Sequence, residues 1–149
     1  MAAIFAKGTH YLKNISIEPE VIDLINFLNN SGADIKFLGK RSLKITGIRE
    51  LTNGIHNIIG DRIEAFSYLC VGAITKRKLK INNINPAHLV SEIGVLKKIG
   101  YKIDKKPNSI KISTNIKLIP VNIKTGPYPN FATDNMPLLL AVLSTIQGK

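Results

Sequence analysis

The segment KTGPYPNFATD, residues 124–134, ends in a carboxylate approached through two prolines and two aromatics. Asp134 is of a type that does proton chemistry: a carboxylate within hydrogen-bond distance of a hydroxyl can take its proton as the oxygen attacks. Pro127 and Pro129 stiffen the approach, Tyr128 and Phe131 give it contact area, and the apolar run from Met136 predicts a helix whose first N–H groups lie beside the acid. A second pair, Asp61 and Arg62 in GDRIEA, stands in the equivalent place before an earlier apolar helix. The competing reading of both aspartates is an N-cap, accepting from orphan backbone N–H groups for about 0.5–2 kcal/mol. Glu18 and Glu20, at another helix start, read as partners of the helix dipole, and Cys70, among Leu69, Val71 and Ala73, as core.

The rest of the composition narrows the chemistry. His10, His56 and His88 are too far apart to form a zinc or redox-metal site, so no metal or cofactor is expected. One cysteine excludes an internal disulfide and points to a reducing, cytosolic setting. The opening MAAIFAKG carries its lysine after a six-residue apolar run, unlike a secretory signal, and the apolar stretch from Met136 to about Ile146 is well short of the roughly 20 residues that span a bilayer. A soluble protein without a membrane partner is expected. The net charge of +11 invites a nucleic-acid reading. Against it, the lysines are scattered, with modest clusters at 76–80, 97–98 and 105–106 and no interleaved aromatics for base stacking. Such a field also attracts an anionic small substrate.

The elements that must position these residues form a repeat. Residues 11–48 and 78–116 each read as a short apolar strand, a proline (Pro19, Pro86) opening an amphipathic helix, a glycine (Gly32, Gly100) ending it, and two alternating strands. Upstream of each lies a further helix, MAAIFAKG and DRIEAFSYLCVGAITKRK, and a third copy of that helix, DNMPLLLAVLSTIQGK, closes the chain. The unit of helix, strand, helix, strand, strand recurs at about 70 residues, longer than solenoid periods. It predicts α/β (α+β) units, each a small sheet with helices on one face. The first helix is under two turns and uncapped, and the last copy stops where its strand should begin; both suggest a longer chain cut at each end.

KTGPYPNFATD resembles a segment of the UDP-N-acetylglucosamine 1-carboxyvinyltransferases that reads basic–Thr–x–Pro–Tyr–Pro–x–Phe–x–Thr–Asp. NISIEPEVIDLINFLNNSGADI (14–35) is similar to the family's Glu-Pro-Glu helix with its Gly-Ala turn, and GDRIEAFSYLCVGAIT (60–75) to its Pro-Asp-Arg-Ile-Glu helix. The resemblance covers nearly the whole chain, in order. It implies the enolpyruvyl transferase fold: two similar domains of three βαβαββ units each, here truncated at both ends. Residues 1–59 would be the C-terminal part of one domain and 60–149 the N-terminal part of the second. The implied reaction moves enolpyruvyl from phosphoenolpyruvate to the 3-hydroxyl of UDP-N-acetylglucosamine, the first committed step of peptidoglycan precursor synthesis, in the cytoplasm. Asp134 matches the family aspartate that binds the sugar hydroxyl and is its candidate general base; Asp61 and Arg62 match positions near the domain junction, as substrate-binding or structural residues.

Two departures stand out. The family continues Met-Gln after its Thr-Asp, where this chain has Asn135 and Met136 before Pro137, and it has proline where this chain has Gly60. The family's lysine–asparagine pair, cysteine loop, phosphate-clamping arginines and uridine-binding stretch would lie outside residues 1–149, so this length alone is expected to be inactive. The alternatives are 3-phosphoshikimate 1-carboxyvinyltransferase within the same fold, and a stand-alone basic module for RNA or acidic partners.

Overall fold

The computed structural model describes residues 1–114 and 117–148. They divide into two units, Met1–Ile58 and Ile59–Lys149. The first carries strands Thr9–Lys13 (β1), Asp34–Gly39 (β2) and Ser42–Thr46 (β3) and the helix Pro19–Asn30 (α1). The strands form an antiparallel sheet in the order β1-β3-β2. Ile45 stands opposite Ile35, and Leu43 between Leu12 and Phe37, so period-two alternation gathers one apolar face. There Ile35, Leu43 and Ile45 pack with Ile25 and Leu28 of α1 and with Ile4.

Met1 to Gly8 does not form the expected helix. Only a 3₁₀ turn forms, at Ala2–Ile4, because no side chain caps it and so short a segment cannot offset helix nucleation.

The second unit repeats the plan. Its helix Arg62–Ile74 (α2) is followed by Leu79–Asn82 (β4), Val90–Ile99 (α3), Lys102–Lys106 (β5) and Ser109–Ser113 (β6), and the sheet order β4-β6-β5 matches that of the first unit. Ile112 lies between Leu79 and Ile103, and Ile110 beside Ile81, so the face again alternates. It is covered by Phe66, Leu69, Ala73, Ile93, Leu96 and Ile99. Gly72 brings α2 close to this sheet, since a Cβ there would sit 2.7 Å from Ile112 Cγ2. Gly100 has φ +118° and ends α3 as its pattern predicted. Pro86 opens a 3₁₀ turn, Pro86–Leu89, rather than the helix itself, which starts at Val90; Asn85 caps the turn by accepting from Ala87 N at 3.0 Å.

The chain then runs through the proline loop to a 3₁₀ turn at Thr133–Asn135, continuous with the helix Met136–Leu143 (α4). Pro137 falls in the first turn of α4, where its missing N–H costs no hydrogen bond. Leu139 and Val142 are wholly buried in the core of this unit. Among the described residues no helix is long and apolar enough to cross a membrane.

Candidate functional site: a proline loop clamped by one helix

The loop before Asp134 closes on itself. Gly126 N donates to Phe131 O at 3.0 Å and Asn130 N to Pro127 O at 2.9 Å, with a bridge between Thr125 and Phe131 and a cis peptide between Tyr128 and Pro129. Both aromatics then dock on α2. The Arg62 guanidinium lies over the Tyr128 ring, 5.5 Å from its centroid, and Phe66 meets Phe131 edge-on, with centroids 5.6 Å apart and planes at 83°. Arg62 and Phe66 are one helical turn apart, so a single face of α2 holds both rings.

Arg62 is 7% exposed at the first position of its helix, where the dipole disfavours a cation. The face of Tyr128 supplies an attraction that offsets this. The aromatics expected to offer contact area are thus anchors, with Phe131 only 3% exposed.

The two aspartates part company. Asp61 is an N-cap, its Oδ1 accepting from Ile63 N at 2.7 Å and Glu64 N at 3.2 Å. Asp134 is not: it lies inside the 3₁₀ turn, and neither that turn nor α4 receives a side-chain cap. Among the described residues the hydrogen bond to its carboxylate is a long one of 3.5 Å from Thr133 Oγ1. The side chain is exposed, at the end of a clamped loop.

Asp61 also lines a cleft of about 310 Å³ with Gly60, Glu64, Tyr68, Asn82 and Asn83, which Asp134 does not line. Arg62 and Tyr128 tie the start of α2 to the proline loop, while this cleft holds Asp61 without Asp134. Gly60 explains its own departure from the family pattern. A Cβ at that position would fall 2.1 Å from Asn83 O, which excludes proline as well as alanine. Glu18 carries no cap hydrogen bond, and Glu20 lies in the first turn of α1. Cys70 is buried, and burial pushes its thiol up to about 12. Among the described residues no group of three or more His, Cys, Asp or Glu could hold a metal ion.

Sequence reading missed Phe66 and Glu92, and marked Asn135 only as a departure, without its partner. Phe66 could have been found from its spacing of four from Arg62. Asn135 is 0% exposed and donates from Nδ2 to Glu92 Oε1 at 2.9 Å, a partnership across 43 residues that no local pattern signals.

The model of the family described as EPSP synthase (3-phosphoshikimate 1-carboxyvinyltransferase) matches residues 1–149. The chain belongs to the EPSP synthase family. Among EPSP synthase family relatives, a UDP-N-acetylglucosamine 1-carboxyvinyltransferase of Pelagibacter ubique is 44% identical over 143 residues, covering 96% of this chain and 34% of the relative. UDP-N-acetylglucosamine 1-carboxyvinyltransferase 2 of Clostridium tetani is 42% identical over 148 residues, covering 99% of this chain and 36% of the relative. The crystal structure of the enolpyruvyl transferase NikO from Streptomyces tendae superposes with a TM-score of 0.85 at 25% identity, over 98% of this chain and 35% of that one. The chain therefore spans about a third of the length of the family members it matches.

Proposed function

We propose that this chain is part of an enolpyruvyl transferase that acts on UDP-N-acetylglucosamine and phosphoenolpyruvate in the cytoplasm, at the first committed step of peptidoglycan precursor synthesis. Relatives named for the UDP-sugar reaction, at about 40% identity along nearly the whole chain, favour this over the shikimate reaction and over a basic RNA-binding module. In this reading residues 1–59 close one transferase domain and residues 60–149 open the next. The phosphate-binding groups come from the rest of the enzyme, so residues 1–149 alone do not turn over.

The observation that carries the reading is the exposed, uncapped carboxylate of Asp134 on a loop clamped by Arg62 and Phe66. Asp134 accepts the proton of the sugar 3-hydroxyl as its oxygen bonds to the enolpyruvyl carbon and the π pair takes a proton at the methylene from an acid in the rest of the enzyme. Loss of a methylene proton then restores the double bond as the bond from that carbon to phosphate oxygen breaks. Arg62 acts behind the loop rather than on substrate, and Asp61 holds the start of α2.

The test is a chimaera in which residues 1–148 replace the matching third of the Pelagibacter ubique relative. It should release phosphate from phosphoenolpyruvate in the presence of UDP-N-acetylglucosamine and not of shikimate 3-phosphate. A folded chimaera that accepts only shikimate 3-phosphate, or neither, overturns the reading.

A further inference from the structure

Asn135 directly follows Asp134, and its side chain is turned fully inward. Asparagine is among the best N-cap residues and occupies the cap position of α4, yet it makes no cap hydrogen bond. Its amide is committed to Glu92, on the first turn of α3, which is 2% exposed and also accepts on Oε2 from Ser91 Oγ at 2.8 Å. Among the described residues, Asn135 Oδ1 has no partner.

This is a costly arrangement. A buried orphan acceptor costs about 1–3 kcal/mol, and a buried carboxyl group needs its hydrogen bonds to be tolerated at all. An amide bonded to a fixed carboxyl has one orientation. With Asp134 itself nearly without partners, the anchored side chain of its neighbour is the contact that ties this turn to α3.

We propose that Glu92 is a positioning residue that sets the aim of Asp134 through Asn135. The proposal rests on the reading of Asp134 as proton acceptor, but its test needs no substrate, so the two can fail separately.

In the full 149-residue chain, NMR would record amide exchange at residues 133–136 and the Hα–Hβ couplings of Asp134. Glu92→Leu should raise exchange at Asn135 and Met136, whose N–H groups close the turn on Ala132 O and Thr133 O, about tenfold, the loss of one net hydrogen bond, and average the Asp134 couplings. Glu92→Gln, which keeps an acceptor, should stay within about twofold of wild type. Should Glu92→Leu not fold, Asn135→Ala carries the same expectation of averaged couplings. Wild-type couplings at Asp134 and wild-type exchange at Asn135 and Met136 in the single variants, with only the melting temperature lowered, would overturn the proposal and leave the pair as packing alone.

Discussion

Arg62 lies 5.5 Å over the ring of Tyr128, and this contact holds the loop that ends in Asp134 against the first turn of α2. It accounts for a cation at a helix start and for an aromatic between two prolines with one interaction. If Arg62 acts through Tyr128, a double-mutant cycle of Arg62→Met and Tyr128→Leu should show a coupling of about 0.5–2 kcal/mol in urea denaturation. Additive effects would mean that the two side chains serve separate purposes.

The two aspartates should separate by stability. Asp61→Ala removes acceptors from Ile63 N and Glu64 N and should cost about 0.5–2 kcal/mol. Asp134→Ala removes an exposed group without a cap bond and should cost less than about 0.5 kcal/mol. Equal losses on thermal unfolding would restore a capping role to Asp134.

Burial pushes the Cys70 thiol up to about 12, from an ordinary value near 9.0. Between those values the unfolded chain has lost the proton that the folded chain keeps, so the slope of unfolding free energy with pH is negative. The stability contribution is whole below about pH 9 and falls by about 1.4 kcal/mol per pH unit as pH rises towards 12. Cys70→Ala should flatten this alkaline loss relative to wild type in denaturation series at pH 8.5 to 10.5. In native protein at pH 8, Cys70 should also resist alkylation until denaturant is added.

The repeat could be read from the chain because each unit writes its own signals. Proline and glycine bracket the helices, and period-two alternation marks Ile35, Leu43 and Ile45 in one sheet and Ile103, Ile110 and Ile112 in the other. What could not be read depends on contacts between distant segments. Asp61 and Asp134 look alike in sequence, and only the 3₁₀ turn at Thr133–Asn135 separates a cap from an open carboxylate. Gly60 looks like a lost proline until Asn83 O is seen to fill the space of a Cβ. Asn135 looks like a polar error in an apolar helix until Glu92 is found beside it.

Asp134 as the proton acceptor is tested most directly by Asp134→Asn in the chimaeric transferase described above. The account predicts a kcat for phosphate release lowered by about 10²–10⁴-fold with the melting temperature unchanged, since the amide fills the same space but cannot take a proton. A kcat within a few-fold of the unsubstituted chimaera would contradict it.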